Sequence, residues 1–343
     1  MTAAQYVGNR SFEVVSGHDV PPAADEVRLD VGFVGICGTD MHIYHGVMDE
    51  RVAPPKVIGH EMSGVIAEIG SEVTGFAVGD RVVVRPLDYC DDCPACDAGY
   101  SHICHRLKFM GIDTPGALQR SWTVKARTLH HLPDNVTMQQ GALIEPLSVA
   151  CHDVTRARLA AGEKAVVLGG GPIGQLIAQV ARGVGAEVLI SEVSDVRREF
   201  AEGVGIPSID PTTDDIRQVV ANWTNGKGAD AVFEVTGVAP AVQTMTEIAS
   251  VRGRICMVAI HSTAPPVDLF QFFWKELEMV GARVYEATDF ERAIEIVAGG
   301  EINLDPFITS VNPIEEVATA FAGMDGNPAG MKALIECGGG DQR

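Results

Sequence analysis

Residues 164–186 read KAVVLGGGPIGQLIAQVARGVGA, an apolar run followed by clustered glycines and a segment of helical periodicity. The run predicts a buried strand, and Pro172 suits the first turn of the helix that follows. Gly169, Gly171 and Gly174 fit the G-x-G-x-x-G pattern between a strand and a helix. There the glycines allow a tight turn, close approach of a pyrophosphate and close packing of helix on sheet. The stretch therefore predicts a dinucleotide-binding site.

The same half of the chain alternates strand-like and helix-like segments. Strand patterns occur at EVLISE (187–192), DAVFEVTG (230–237) and RICMVAI (254–260), and helix patterns at SDVRREFAEGVG (194–205) and PAVQTMTEIAS (240–250). This alternation is typical of a parallel sheet with helices on both faces. The sequence therefore predicts an α/β fold class, with a doubly wound domain in this half of the chain.

An acidic residue is expected at the end of the strand after the glycine motif, about 20 positions on. Glu192 stands there, and its carboxylate can accept hydrogen bonds from ribose hydroxyls while repelling a 2′-phosphate. Arg197 and Arg198 follow; they could attract such a phosphate or form an exposed helix face. We predict NAD rather than NADP, with Pro172, Ile173, Glu192 and Arg197 joining the glycines in the cofactor site.

The N-terminal residues, up to about 145, have a different pattern, rich in strands and turns. SGVIAEIG (63–70) and DRVVVRP (80–86) are β-rich runs separated by a glycine-containing loop. The sequence thus predicts a β-rich domain that precedes the α/β domain.

The C-terminal part adds two helix patterns and a strand. TDFERAIEIVAGG (288–300) predicts a helix, and NPIEEVATAFAGM (312–324) predicts another, capped by Asn312 with Pro313 in its first turn. MKALIEC (331–337) predicts a final strand.

The composition disfavours several classes of partner. The 343 residues include 46 acidic and 26 basic side chains, a formal net charge of −20 at pH 7, which argues against binding to nucleic acid or an anionic membrane. MTAAQYVGNRSFEVV lacks the basic and apolar regions of a signal peptide, and no apolar run reaches the roughly 20 residues that span a bilayer. We expect a cytoplasmic protein, whose thiols stay reduced.

Four of the eight cysteines fall within CDDCPACDAGYSHIC (90–104), spaced C-x2-C-x2-C-x7-C. They are Cys90, Cys93, Cys96 and Cys104. A proline and a glycine in the segment disfavour a continuous helix, so a loop can place the four sulfurs at the corners of a tetrahedron. Four thiolates suit a closed, structural zinc site; an iron–sulfur cluster and free surface thiols are the alternatives. In a reducing compartment we predict zinc.

Three further stretches concentrate side chains that bind metals: GICGTDMHIYHG (35–46), GHEMSG (59–64) and GALIEPLSVACHD (141–153). The candidates are Cys37, Thr39, Asp40, His42, His45, His60, Glu61, Glu145 and His152. A single histidine is more often structural than a ligand. Together, one thiolate, one imidazole and carboxylates form a mixed donor set with room for an exchangeable fourth ligand, as catalytic zinc requires.

In these motifs the chain resembles, from end to end, the zinc-dependent medium-chain dehydrogenases of the alcohol dehydrogenase superfamily, and within them the polyol (sorbitol) and L-threonine dehydrogenases. The motifs GICGTDMH, GHEMSG, the four-cysteine segment, LPDNVTMQQGALIEPLSV and GGGPIG follow the family's order and spacing. The resemblance implies a GroES-like catalytic domain (1–147) with a structural-zinc lobe (about 88–106), a Rossmann NAD-binding domain (148–287) and a C-terminal segment (288–343) that completes the catalytic domain.

The resemblance also implies a metal site and a proton path. Cys37, His60 and either Glu61 or Glu145 would hold a catalytic zinc ion, the second of two per chain. Glu145 stands where the family's ethanol-type enzymes have a second cysteine, which favours the polyol and threonine branch.

Other residues would act beside the zinc and the cofactor. Thr39 would be the hydroxyl beside the substrate alcohol, and His42 would continue the proton path. Val258 and Ile260, in the loop VAIHS (258–262), would border the nicotinamide, and Arg283 would lie on the substrate side.

The implied reaction is hydride transfer between NAD and a secondary alcohol, either a polyol or a vicinal diol. Zinc would lower the pKa of the hydroxyl and the nicotinamide would carry the hydride. Oxidation of an amino alcohol, as by L-threonine 3-dehydrogenase, is an alternative. A non-catalytic NAD-binding protein is disfavoured because Cys37 and His60 are present. The expected partners are a small alcohol or ketone and further copies of the chain, in a dimer or tetramer.

Overall fold

The computed structural model describes residues 2–17, 19–261, 263–327 and 330–338. The chain divides into two compact units: unit 1 is Met1–Glu145 with Glu286–Arg343, and unit 2 is Pro146–Tyr285. Among the described residues, no helix has both the length and the apolar character needed to cross a lipid bilayer.

The N-terminal part of unit 1 consists mainly of short strands. They are β1 (Thr2–Gly8), β2 (Ser11–Ser16), β3 (Glu26–Gly35), β4 (Lys56–Val57), β5 (Glu61–Ile69), β6 (Arg81–Val84), β7 (Leu87–Asp88), β8 (Lys108–Phe109), β9 (Ser121–Lys125) and β10 (Leu129–His131). The helices are α1 (Gly38–Tyr44), α2 (Asp49–Val52), α3 (Pro94–Asp97) and α4 (Met138–Gly141). Helix α5 (Ile144–Arg156) includes the boundary between the units.

Unit 2 is built on one parallel sheet. Its strands are β11 (Lys164–Leu168), β12 (Glu187–Ser191), β13 (Ser208–Ile209), β14 (Ala229–Glu234), β15 (Ala249–Met257) and β16 (Glu278–Gly281). Its helices are α6 (Pro172–Gly183), α7 (Asp195–Gly203), α8 (Ile216–Trp223), α9 (Ala239–Ile248) and α10 (Leu269–Lys275). The strand order β13-β12-β11-β14-β15-β16 is that of a doubly wound dinucleotide-binding sheet. The predicted α/β fold class is confirmed.

Apolar side chains of α8 and α9 cover one face of this sheet. Val220 and Met245 join Val166, Val232 and Ile255 in a buried cluster. Burial of each such side chain contributes roughly 1.5–3 kcal/mol. The cluster therefore stabilises the sheet that carries the loops at the carboxyl ends of its strands.

The C-terminal part returns to unit 1. It comprises α11 (Ala287–Ala298), β17 (Ile308–Pro313), α12 (Val317–Gly326) and β18 (Lys332–Glu336). The main sheet of unit 1 has the order β10-β6-β5-β3-β18-β17, with β9 also paired to β3. Pairs in this sheet are antiparallel except for β17 and β18, which run parallel.

The register around β3 determines which residues meet at the end of the strand. Gly35 lies opposite Glu61 of β5 on one side and opposite Leu334 of β18 on the other. From Val31 to Gly35 the strand is buried throughout. Side chains of β5 and β18 can therefore meet above the last residue of β3, away from water.

Two predicted helices differ from the structure. The segment 312–324 does not begin as a helix: Asn312 and Pro313 extend β17, opposite Ile335 and Glu336 of β18, and α12 starts only at Val317. The parallel pairing outweighs the local capping preference of asparagine and proline. The helix predicted over 240–250 ends at Ile248, because Ala249 and Ser250 already belong to β15.

Candidate active site and metal centres

The first of the predicted catalytic residues lie between the end of β3 and the first turn of α1. Cys37 is the N-cap residue of this helix, and the Asp40 carboxylate accepts the Cys37 N–H at 2.9 Å. Such capping fixes the start of the helix and thereby the half-buried Cys37 thiol. Thr39, in the first turn, is half-buried, whereas His42 is exposed.

His60 and Glu61, at the start of β5, are both buried. Gly59 precedes them with φ of 93°, a conformation that glycine adopts without strain. The His60 ring packs edge-on against Phe109, with ring centroids 5.1 Å apart. Its Nδ1 faces Asp40 Oδ1 at 3.6 Å. Asp40 therefore lies beside both the cysteine and the histidine of the predicted metal site.

The structure brings Cys37, His60 and Glu61 together. The thiol, a ring nitrogen and a carboxylate oxygen lie within 4.8 Å of one another. His60 Nδ1, Glu61 Oε2 and Asp40 Oδ1 are buried without hydrogen-bond partners, which costs free energy unless another group satisfies them. Sulfur, nitrogen and oxygen donors are the ligands that zinc takes in proteins. These residues therefore fit a zinc ion.

The protonation of His60 reflects the negative charge around it. Burial alone would lower the pKa of the ring, but the Asp40 carboxylate and the Cys37 thiol outweigh burial and raise it well above its ordinary value. The cluster thus attracts a positive charge.

Lys332 of β18 belongs to the same cluster, although no role was predicted for it from the sequence. Its Nζ donates to Glu61 Oε1, and the side chains of Lys332 and Glu61 are only 4% and 1% exposed. Burial alone would lower the pKa of Lys332, but the charges of Glu61, Cys37 and Glu145 raise it. The lysine is therefore a buried cation beside the predicted metal ligands.

The other candidates from the sequence have varied surroundings. Glu145 is buried in α5, near enough to Lys332 for its charge to act on the pKa of that lysine. His45 is not part of the cluster, because its Nε2 lies 2.7 Å from Asp325 Oδ1 of α12. His152 is buried in the part of α5 that belongs to unit 2.

The four cysteines of the lobe converge on one point. Their sulfurs are separated by 3.6 Å (Cys93 and Cys96), 3.8 Å (Cys93 and Cys104) and 3.3 Å (Cys90 and Cys104), too far apart for disulfides. In tetrahedral coordination, Zn–S bonds of about 2.3 Å place the sulfurs about 3.8 Å from one another. The donor set therefore fits one zinc ion, and the spacing is too small for several iron atoms to lie between the sulfurs.

Backbone N–H groups point at these sulfurs. The N–H groups of Cys90 and Arg106 lie 3.4 and 3.3 Å from the Cys104 sulfur, and the Arg106 guanidinium lies 3.4 Å from that of Cys90. The N–H groups of Cys96 and His105 lower the pKa of Cys93 to about 6. These donors favour the thiolate form of Cys93, the form in which a cysteine binds a metal.

In unit 2 the glycine motif forms the turn between β11 and α6. Gly169 has φ of 108°, and a Cβ at Gly174 would collide with the Gly169 carbonyl oxygen. A Cβ at Gly171 would meet only the Arg197 guanidinium, at 3.6 Å. Pro172 starts α6, so the N–H groups of its first turn, including that of Ile173, are available to an anion. This open face fits the pyrophosphate of a dinucleotide.

Glu192 follows β12 and is tied to the glycine loop. Its Oε2 accepts the Gly170 N–H at 2.7 Å and its Oε1 accepts the Ser194 N–H at 2.8 Å. Arg197 Nη1 lies 3.9 Å from Glu192 Oε2. Each carboxylate oxygen keeps a second lone pair for a ribose hydroxyl.

Arg198 is not part of an exposed helix face. It donates to the Glu192 carbonyl oxygen at 2.7 Å and to the Asp195 carboxylate, and it lies 3.5 Å from Asp210 Oδ2. Two carboxylates therefore already balance its charge.

The loop after β15 contains Val258 and Ile260, the residues predicted to border a nicotinamide. The Val258 N–H is bonded to the Glu234 carbonyl oxygen at 3.0 Å, and Ile260 is 82% exposed. His261 Nε2 lies 3.1 Å from the buried Glu234 carboxylate. Ser262, the end of the predicted loop, lies outside the described residues.

Comparison with known proteins gives two family matches. The alcohol dehydrogenase GroES-like domain matches residues 23–134, and the zinc-binding dehydrogenase domain matches residues 172–299. The 2-dehydro-3-deoxy-L-galactonate 5-dehydrogenase of Pseudoalteromonas atlantica is 69% identical, over 98% of this chain and 99% of that protein. The sorbitol dehydrogenase of Halalkalibacterium halodurans is 33% identical, over 96% of each chain.

Solved structures agree over nearly the whole chain. A putative zinc-binding dehydrogenase of Sinorhizobium meliloti, bound to NADP, has a TM-score of 0.90 at 30% identity and covers 98% of both chains. An alcohol dehydrogenase of Escherichia coli CFT073, in complex with NADH, has a TM-score of 0.92 at 27% identity and covers 98% of this chain and 99% of its own. The family resemblance and the dehydrogenase reaction predicted from the sequence are thereby confirmed. The chain belongs to the zinc-binding, medium-chain alcohol dehydrogenase family and is an oxidoreductase of secondary alcohols.

Proposed function

We propose that the protein oxidises the C5 hydroxyl of 2-dehydro-3-deoxy-L-galactonate, or of a closely similar sugar acid, with NAD. The observation that carries this proposal is the 69% identity to a dehydrogenase of that name, over 98% of this chain. Relatives named as sorbitol dehydrogenase, (R,R)-butanediol dehydrogenase and probable D-xylulose reductase are only 32–34% identical. The substrate remains a secondary alcohol beside further oxygen substituents, as the sequence predicts.

The proposed catalytic residues all belong to unit 1. Cys37, His60 and a carboxylate of Glu61 or Glu145 would hold zinc, which when bound lowers the pKa of an alcohol. Thr39, two residues after Cys37, would accept the hydroxyl proton on Oγ1 and pass on its own. His42, exposed on α1, would carry a proton to solvent.

The proposed cofactor is NAD, held by the glycine loop and Glu192 of unit 2. Gly171 leaves its face open for the pyrophosphate, and Glu192 lies beside Gly170. Arg198 is engaged by Asp195 and Asp210, so it is poorly placed to compensate a 2′-phosphate.

We propose a second, structural zinc ion at the four-cysteine lobe. The support is the sulfur spacing and the N–H groups directed at the sulfurs.

We propose the following domain roles. Residues 1–147, with the lobe at about 88–106, would form the catalytic domain, and residues 148–287 would bind NAD. Residues 288–343 would complete the catalytic domain; of these, residues 339–343 lie outside the described part.

We also propose that the protein is a homo-oligomer, a dimer or tetramer, and cytoplasmic. In unit 2, α10 exposes a cluster of large apolar side chains, with Phe273 and Trp274 77% and 69% exposed. Such clusters mark protein interfaces, and β16 is an edge strand that a second copy can pair with. None of the eight cysteines, all of them within the described residues, forms a disulfide, as is typical of a reducing compartment.

The substrate proposal is tested by measuring NAD reduction with 2-dehydro-3-deoxy-L-galactonate, sorbitol, 2,3-butanediol and L-threonine. A pocket that pairs the polar groups of its own substrate rejects analogues that lack them, so kcat/KM should be at least about 100-fold higher for the first compound. If sorbitol or L-threonine is the better substrate, the substrate proposal is wrong, while the family assignment stands.

A further inference from the structure

Glu61 and Lys332 meet across the central strand of the unit 1 sheet. Glu61 lies on β5, Lys332 on β18, and β3 runs between them. A side chain on β3 at this level would keep them apart. The residue there is Gly35, and a Cβ at Gly35 would collide with Glu61 Oε2. The missing side chain therefore makes room for the Glu61 carboxylate to reach the lysine.

The two oxygens of Glu61 have different surroundings. Oε1 accepts a hydrogen bond from Lys332 Nζ, whereas Oε2 is buried and has no hydrogen-bond partner. A Glu61 carboxylate oxygen, a His60 nitrogen and the Cys37 thiol are mutually within 4.8 Å. The Lys332 ammonium group is a compact positive charge, and it repels a second cation at the oxygen that it holds. Oε2 is thus better placed than Oε1 to bind a cation.

The charges of the cluster also favour a cation at the position of Lys332. Cys37 as a thiolate, together with the carboxylates of Asp40, Glu61 and Glu145, contributes four negative charges, and a zinc ion would supply two positive ones. The ammonium group of Lys332 supplies a third positive charge. Without it, the same acidic groups would face the metal with two excess negative charges and without the competing lysine cation.

We propose that Lys332 is a positioning residue that restrains Glu61 to a single-oxygen, weakly held contact with the metal. The inference rests on the metal site of the proposed function and adds a residue that determines how Glu61 contacts the metal there. Because Lys332 holds Glu61 Oε1, the carboxylate does not bind the metal through both of its oxygens. A coordination position then stays open for the substrate hydroxyl.

The test compares Lys332→Met with the wild-type protein, both loaded with zinc and then with cobalt(II) as a spectroscopic probe. In Lys332→Met both Glu61 oxygens become available and the repulsive cation is gone. Zinc loss to a chelator should become at least tenfold slower, and the cobalt absorption should weaken as the coordination number rises. Turnover should fall even though metal is retained. Lys332→Arg should restore wild-type behaviour in part.

A purely structural role for Lys332 predicts a different result. Loss of a buried ion-pair partner would then make zinc loss equal or faster, with no change in the cobalt spectrum, and that outcome overturns the inference. Melting temperatures with and without zinc check that the variant folds: the apo protein should melt lower and the increase on adding zinc should be larger.

Two further variants separate the inference from the metal site itself. In a Glu61→Gln background, Lys332→Met should no longer slow zinc loss, because the carboxylate that the lysine restrains is absent. Gly35→Ala should displace Glu61 and speed zinc loss. If wild-type protein holds zinc only at the four-cysteine lobe, the metal site of the proposed function fails. If Cys37-dependent zinc is present but insensitive to Lys332, only the inference fails.

Discussion

Glu192 Oε2 accepts the N–H of Gly170 at 2.7 Å, and this bond ties the end of β12 to the turn between β11 and α6. The same carboxylate stands where a ribose 2′-oxygen is expected to bind. One side chain therefore holds the glycine loop and, in the proposed function, would also place negative charge where a 2′-phosphate would have to fit.

Glu192→Gln should weaken the discrimination between cofactors. The variant keeps an oxygen for the Gly170 N–H but loses the charge that repels a phosphate, so the ratio of kcat/KM for NAD to that for NADP should fall roughly tenfold, or about 1.4 kcal/mol. Glu199→Gln is the control, because it makes the same change on the exposed face of α7. A wild-type preference for NADP would contradict the assignment and make Arg197, which lies beside Gly171 and Glu192, the candidate to bind the 2′-phosphate.

Gly174→Ala should damage the nucleotide site and unit 2 together. The added Cβ would collide with the Gly169 carbonyl oxygen, and overpacking of this kind typically costs about 1–3 kcal/mol. We expect a lower melting temperature and at least tenfold weaker NAD binding by calorimetry. Gly183→Ala, at the other end of α6, meets nothing within 4 Å and should leave NAD affinity unchanged. Equal effects of the two variants would argue against the close packing described here.

Cys93→Ser should remove the zinc ion of the lobe. Because a closed metal site contributes folding free energy, we expect one zinc per chain instead of two and a clearly lower melting temperature. Cys337→Ala is the control, since Cys337 is a buried cysteine outside the lobe. It should retain two zinc ions. Iron in the purified protein, or two zinc ions in Cys93→Ser, would show that the lobe does not hold zinc.

Stability should decrease in mild acid because of His130. Burial, together with the charges of Arg85 and His131, lowers the pKa of His130 to about 4 from an ordinary value of 6.5, and its ring packs on Phe290 with centroids 4.8 Å apart. The unfolded chain binds the proton first, so stability present above pH 6.5 is lost as the pH falls towards 4, by up to about 3 kcal/mol.

His130→Phe preserves an aromatic ring against Phe290 but has no proton to bind. Urea unfolding of this variant between pH 7 and 4 should therefore show a smaller loss of stability than unfolding of the wild-type protein. Equal losses would mean that His130 can be protonated without cost in the folded state.

The sequence predicted the elements that have strong local signals. The glycine motif, the strand before it and Pro172 at the start of α6 all agree with the structure. The start of α12 could not be predicted, because Asn312 and Pro313 prefer a helix start locally but pair with β18, which lies later in the chain. A short window of sequence contains no signal for pairing with a strand that lies later in the chain.

The candidate site was predictable where ligand chemistry is visible in a motif. Cys37, His60 and Glu61 were found in this way, but Asp40 and Lys332 were not assigned a role. Asp40 had a signal, since it stands three residues after the N-cap position of a helix. Lys332 had a weaker one, a lysine that precedes the apolar run 333–335, and only the sheet order shows that it faces Glu61.

The central claim is that the zinc ion held by Cys37 and His60 activates the substrate alcohol. The most direct measurement combines zinc content, NAD affinity and turnover of 2-dehydro-3-deoxy-L-galactonate in Cys37→Ser. In the proposed function NAD binds through Gly169, Gly171 and Glu192 of unit 2, so its affinity should stay within about twofold, whereas zinc should fall from two ions to one per chain. Turnover should fall by at least about 10³-fold, since metal activation contributes several kcal/mol. Full turnover with two zinc ions in Cys37→Ser would contradict the claim.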